Sequence, residues 1–163
     1  MKVLDKNRAL GTLDEAEGVA WVTDEEQGIL FSIDLTTGDR LAVSDATTGT
    51  GPALVRPIGV MVDGSRVLLG DPFAATGGGI LEVNPLSGDR TVISGDTLGT
   101  GEAFSPYGMR LDASGLTVVA SGFYGTGQAI FSIDLTSGDR MAVSTRNSWE
   151  FPTGLALDPA GGI

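Results

Sequence analysis

The chain has 163 residues, 21 acidic and 10 basic, for a formal charge of −11, and it contains neither cysteine nor histidine. Disulfides, thiol nucleophiles, Cys/His zinc sites and histidine bases are thereby excluded. With lysine confined to Lys2 and Lys6, there is no basic stripe to meet nucleic acid or an anionic membrane surface.

The opening stretch, MKVLDKNRALGTLDE, carries no apolar segment long enough for a signal peptide. The lack of cysteine leaves the compartment open, with an extracytoplasmic bacterial setting slightly favoured. Apolar runs rich in Val, Ile, Leu and Phe then follow, punctuated by Asp, Gly, Ser and Pro, which is the signature of short strands and turns. They fall at Ala9–Asp14, Gly18–Asp24, Ile29–Asp34 and Arg40–Ser44. The same order returns at Pro57–Asp63, Arg66–Asp71, Gly79–Asn84 and Arg90–Ser94. It returns again at Pro106–Asp112, Leu116–Ser121, Ala129–Asp134 and Arg140–Ser144. A last run, Pro152–Asp158, begins the pattern once more. No stretch holds a helical period with caps, and no apolar run approaches the ~18 residues of a membrane span.

The recurrence is close. Residues 30–44 (LFSIDLTTGDRLAVS) and 130–144 (IFSIDLTSGDRMAVS) differ at three positions, and 80–94 (ILEVNPLSGDRTVIS) lies between them in the same register. Gly38, Gly88 and Gly138 mark a period of fifty residues. A fixed period of this length indicates a repeat architecture in which each unit buries its faces against its neighbours. The turn glycine suits a hairpin, and hairpins make successive strands antiparallel. The predicted fold is therefore all-β: β-propeller blades of four antiparallel strands, three complete (roughly 9–44, 57–94 and 106–144) plus the first strand of a fourth (152–158). The whole chain, 1–163, reads as one partial or self-assembling domain. Propellers close with roughly four to eight blades, so unfilled blade faces are expected to seek a partner, either further blades or a second copy.

A residue present in every repeat builds the repeat; a working site breaks the pattern. The pairs Asp39/Arg40, Asp89/Arg90 and Asp139/Arg140 are thus expected to be structural, as inter-blade salt bridges. Asp14, Asp63, Asp112 and Asp158, and likewise Asp34, Asn84 and Asp134, are expected in Asx turns. TTGTGP (47–52) and LGTGE (98–102) are glycine-rich but lack a following helix and a Lys-Ser/Thr, so they read as connections and not as phosphate loops. The third connection, TRNSWEF, has no Gly-Thr-Gly at all. There Trp149, with Tyr124, is placed to stack on a sugar ring, and Arg146 and Glu150 to hold its hydroxyls. The competing reading makes Phe104, Trp149 and Phe151 plugs between blades. Asp24, Asp71, Glu102 and Glu150, at loops predicted to share one end of the blades, form a candidate Ca²⁺ site, since that ion takes several oxygen ligands. The competing reading is solvated surface acids. Glu25, Arg56, Phe73, Tyr107 and Phe123 fall in the same loops.

PIGVMVDGSRVLLGD followed by GGILEVNPLSGDRTVISGD resembles the repeats of gluconolactonase/regucalcin-like and NHL-repeat propellers, and PYGMRLDASGLTVVAS and PTGLALDPAGG repeat its first half. The resemblance runs from about Leu10 onward and implies a propeller. Its lactonase branch implies a metal-dependent hydrolase with one divalent cation, held by an Asn or Asp at the middle of the Pro-x-Gly element and by an early Glu. Here the middle positions are Ile58, Tyr107 and Thr153, none an amide or carboxylate. Glu17, in AEGVAWVTD, stands in the turn before a strand.

Three readings of function stand. The first is a non-catalytic binding or scaffold module for a protein or glycan. The second is a fragment of a lactonase-like metal-dependent hydrolase. The third is a self-assembling half-propeller that completes its ring as a homo-oligomer. Whether the chain is an enzyme is left open, leaning against.

Overall fold

The computed structural model describes residues 18–74, 77–124, 127–146, 152 and 154–158. All its regular elements are strands: β1 (Val19–Asp24), β2 (Ile29–Asp34), β3 (Arg40–Ser44), β4 (Gly59–Asp63), β5 (Arg66–Asp71), β6 (Gly79–Val83), β7 (Arg90–Gly95), β8 (Phe104–Leu111), β9 (Thr117–Tyr124), β10 (Gly127–Asp134) and β11 (Arg140–Arg146). They form three sheets in sequential order, β1-β2-β3, β4-β5-β6-β7 and β8-β9-β10-β11, every pairing antiparallel. These are the blades of a β-propeller, as the fifty-residue period predicts. The strand expected at Ala9–Asp14 lies outside the described residues. Among the described residues no helix is long and apolar enough to cross a membrane.

The third blade and the run after it differ from expectation. The third blade's central hairpin is longer than Leu116–Ser121 and Ala129–Asp134: β9 runs to Tyr124 and β10 starts at Gly127, with Tyr124 opposite Gly127. The aromatic pair Phe123–Tyr124 favours extended backbone and carries the ladder outward. The run Pro152–Asp158 was expected to be a strand, but Pro152 and residues 154–158 carry no strand pairing. A first strand is stabilised by ladder bonds to its second, and the described residues supply none.

The β2–β3, β6–β7 and β10–β11 hairpins share one design. Asp34, Asn84 and Asp134 each accept the amide two residues on through a side-chain oxygen, at 2.8, 2.9 and 2.7 Å, the predicted Asx turn. Each last strand also carries a bulge: Leu30 faces Ser44 while Phe31 faces Ala42, and the register slips identically at Ile80/Leu81 and Ile130/Phe131. A bulge re-aims the residues after it. Here it leaves Val43 and Ser44 both buried at the inter-blade junction.

The core is two apolar layers, one in each junction. Leu30, Val67, Leu69, Leu81 and Val83 fill the space between the first and second blades. Leu68, Ile80, Met109, Val118 and Phe131 fill that between the second and third. The second blade alternates Val67 and Leu69 to one face with Leu68 to the other, the period of two expected of a sheet buried on both sides.

Candidate functional site

The geometry of the recurrent residues is that of structural parts. Arg90 is 8% exposed, and its guanidinium fans across the junction. Nε donates to the Pro52 carbonyl at 2.6 Å, and Nη1 donates to Ser44 Oγ at 2.6 Å and to the carbonyls of Thr48 and Asp45 at 3.0 and 3.1 Å. Arg140 repeats the arrangement on Glu102, Ser94, Leu98 and Gly95, between 3.0 and 3.1 Å. The expected inter-blade salt bridges are therefore replaced by something else: the arginines do cross the junctions, but onto a serine and carbonyl oxygens. Among the described residues the ion pairs are Arg56–Glu25, Arg66–Asp63 and Arg66–Glu82. Fixed carbonyl dipoles satisfy a buried cation without a second desolvated charge.

The acid of each pair works separately. Asp89 Oδ1 accepts the Thr50 amide and hydroxyl, both at 2.7 Å, and Asp139 does the same with Thr100 at 2.7 and 2.8 Å. Hydrogen bonds from Ser87 and then Thr50 lower the Asp89 pKa; those from Thr100 and then Ser137 lower that of Asp139. The connections themselves admit no side chain. A Cβ on Gly49 would lie 2.0 Å from the Gly88 carbonyl oxygen, and one on Gly51 2.1 Å from that of Arg90. The Gly-Thr-Gly loops are thus seats for the next blade's turn, as their lack of a helix and lysine implied.

The proposed cation ligands occupy different settings. Asp71 is fully buried and accepts the amides of Val55 at 2.7 Å, Phe73 at 2.9 Å and Arg56 at 3.2 Å. Asp24 accepts the amide of Gln27 at 2.9 Å and its side-chain Nε2 at 2.6 Å, closing the β1–β2 turn. Glu102 is exposed, and its backbone carbonyl receives Arg140. Among the described residues no three acidic side chains gather as a metal site would require.

Of the proposed sugar-binding residues, Trp149 and Glu150 lie outside the described residues, as do Phe151, Glu17 and Thr153. Tyr124 closes β9 opposite Phe104 and Gly127, and Arg146 closes β11 opposite Gln128, so one end of the third blade carries both. Phe104 is 3% exposed, packs on Phe131 with ring centroids 5.2 Å apart and lies beneath the Arg140 guanidinium at 5.5 Å. It is a plug between blades.

What this end of the blades brings together is a different set, and Tyr107 and Phe123, expected in loops, stand in β8 and β9. Asp71 pins both Arg56 and Phe73 by their amides, and this places the Arg56 guanidinium 4.9 Å from the centre of the Phe73 ring. Arg56 also pairs with Glu25, from the β1–β2 turn. Tyr107, at the middle of the third blade's Pro-x-Gly element, packs edge-on against Phe123 at 5.5 Å. Burial raises its phenol pKa above 10.0; the Arg56 charge opposes the shift and the Glu25 charge adds to it. Both charges therefore act on one phenol, and three blades contribute to one surface. Arg56 and Phe73 remain about half exposed, at 51% and 48%. These residues were visible in the sequence only as departures from the repeat. Their mutual contact depended on Asp71, whose burial a sequence does not display.

No family model matches the sequence, and no curated protein matches it. Among solved structures the chain is similar to one in the crystal structure of a nidogen/laminin complex, with a TM-score of 0.49 and 15% sequence identity, over 82% of this chain and 60% of that chain. The protein thus spans about three fifths of the length of that chain.

Proposed function

We propose that the protein is a non-catalytic binding or scaffold module of β-propeller blades, and that the Glu25–Arg56–Phe73–Tyr107 end of the blades holds a protein or glycan ligand. The observation that carries this reading is the half-exposed Arg56 guanidinium spanning Phe73 and Glu25. A cation, an aromatic face and an acid presented side by side suit polar and ring-bearing groups, and Arg and aromatic residues dominate binding energy at interfaces. Asp71 fixes this group from below, so it is pre-organised.

The test is binding to an array of immobilised glycans and peptides, comparing the wild type with Arg56→Ala and Phe73→Ala. Recognition lost in both variants, with thermal stability retained, supports the reading. Hydrolysis of glucono-δ-lactone that rises with Ca²⁺ or Zn²⁺ and stops with EDTA would replace it with the metal-dependent hydrolase.

A further inference from the structure

Strand register makes the three blades comparable position by position. Phe31, Leu81 and Phe131 occupy one site in the strand before the last of their blades, and Ile33, Val83 and Ile133 another. Opposite them stand Arg40, Arg90 and Arg140 at the start of the last strand. In the second and third blades these positions lie between 0% and 8% exposed, because the preceding blade covers them. In the first blade Phe31 and Ile33 are only half-buried and Arg40 is exposed. Beside them Val22 is 41% exposed, whereas its equivalents Leu69 and Ala120 are fully buried. A hollow of about 390 Å³ opens on this face, lined by Val22, Phe31, Ile33 and Arg40 and rimmed by Asp24, Glu25 and Glu26.

Arg90 and Arg140 each spend their donors on a serine hydroxyl and backbone carbonyls of the blade before them. The Arg40 side chain, in the same register, has no hydrogen bond or ion pair among the described residues. The face therefore repeats an interface that the chain itself builds twice, and no described residue supplies its other half.

The other half has a defined chemistry. It is a last strand ending in serine, followed by a connection with glycine at the positions of Gly49 and Gly51. Those positions, like Gly99 and Gly101, lie so close to the next blade that a Cβ would stand 2.0 to 2.2 Å from a carbonyl oxygen. A second copy of this chain cannot offer that connection. Its Gly49–Gly51 and Gly99–Gly101 loops already hold its own Arg90 and Arg140 turns. After Ser144, the residues fifty positions beyond Gly99 and Gly101 are Trp149 and Phe151.

We propose that the Arg40 face of the first blade is the receiving half of a blade-to-blade latch, whose occupant is a β-blade ending in serine and a Gly-Thr-Gly connection and not a second copy of this chain. The inference concerns a surface that adjoins the Arg56 end at Glu25, and it stands whether or not that end binds a ligand.

A synthetic peptide of residues 41–53, LAVSDATTGTGPA, is the probe, titrated into the full chain with the Arg40 Nε–H resonance and the backbone amide resonances of Phe31 and Ile33 as readouts, the amides alone serving for the Arg40 variants. The expected result is a saturable shift that the peptide of residues 141–153, MAVSTRNSWEFPT, does not produce. Arg40→Ala should abolish the response with unfolding unchanged, since the Arg40 side chain has no partner to lose among the described residues. Arg40→Lys should weaken it more than about tenfold, because a point ammonium cannot reproduce a planar fan of donors. Replacing both glycines of the 41–53 peptide by alanine should abolish the shift. The proposal is overturned if the 41–53 peptide leaves Arg40 unmoved, or if the 141–153 peptide binds equally well. It is also overturned if the chain sediments as a dimer that Arg40→Ala dissociates, which would make a second copy the occupant.

Discussion

Arg90 Nη1 donates to the hydroxyl of Ser44 at 2.6 Å, and that hydroxyl donates onward to the Gly88 carbonyl at 2.7 Å. One serine at the end of a blade thus holds both the turn and the arginine of the next. Ser94 binds Gly138 and Arg140 in the same way, at 2.6 and 3.1 Å. The Gly-Asp-Arg motif is therefore an inter-blade part more than a hairpin part, and its energetic weight depends on whether a blade stands in front of it.

The three arginines should accordingly respond very differently to one substitution. Arg90→Ala and Arg140→Ala strip a buried serine and several carbonyls of their donor, and each should cost about 1.5–3 kcal/mol, the range for hydrogen bonds to a charged group. Arg40→Ala should stay within about 0.5 kcal/mol of wild type, as a substitution at an exposed side chain without partners among the described residues. Urea unfolding of the three variants measures this, and equal losses at all three sites would refute the latch.

The glycines divide in the same manner. Gly38 has φ near 74° but open space around its absent side chain, so Gly38→Ala meets only the left-handed backbone penalty of roughly 1–2 kcal/mol. Gly49 adds a collision with the Gly88 carbonyl. Gly49→Ala should therefore be markedly more destabilising than Gly38→Ala in the same unfolding experiment, or unseat the first junction altogether.

Much of this fold was legible because its causes are local. The apolar alternation, the Asx residues and the turn glycines each act within a few positions, and the fifty-residue period announces that their product is repeated. The roles of Asp and Arg within the Gly-Asp-Arg motif were not legible. Adjacent opposite charges suggest ion pairs, whereas the structure sends Asp89 to Thr50 and Arg90 to Ser44, residues about forty positions away. The site was legible only in outline. Departures from the repeat marked Glu25, Arg56 and Phe73 as loop residues, and Tyr107 with them although it lies in β8, but the acidic quartet looked equally suggestive. Only burial separates Asp71, occupied by three amides, from an acid open to a cation.

Asp71 provides a direct test of that distinction. Asp71→Ala leaves three amides without their acceptor and should lower stability by about 1–3 kcal/mol or more. The loss should be the same in Ca²⁺ and in EDTA. If Ca²⁺ instead raises the melting temperature of the wild type and Asp71→Ala removes that increase, Asp71 is a cation ligand and the binding surface above it must be redrawn.

Acid should loosen the blades through their exposed turns. Hydrogen bonds from hydroxyls and amides lower the pKa of Asp89, Asp139, Asp112 and Asp134 below the ordinary 3.8. A carboxyl whose pKa is lower in the folded state stabilises that state above about pH 4, and the contribution disappears as pH falls through the folded value. Urea midpoints should therefore hold from neutral pH down to about pH 4 and decline below it, with a shallower decline in Asp89→Asn and Asp139→Asn. Added salt should leave the decline largely in place, because the neighbouring Arg90 and Arg140 charges are the smallest of the contributions to those two acids.

The Arg56 end can be probed through Tyr107 without knowing a ligand. Its phenol is raised chiefly by burial, with Arg56 pulling it down and Glu25 pushing it up. Arg56→Met removes the opposing charge, so Tyr107 should ionise at higher pH than in the wild type. Glu25→Gln removes the adding charge, so it should ionise at lower pH than in the wild type. Phenolate absorbance during alkaline titration reads both shifts, in a Tyr124→Phe background that leaves Tyr107 as the sole tyrosine of the chain's two. Shifts in opposite directions would show that the β1–β2 turn, the first connection and the third blade's Pro-x-Gly element meet in solution as one surface. A phenol indifferent to both substitutions would separate them, and the proposed binding site would lose the geometry on which it rests.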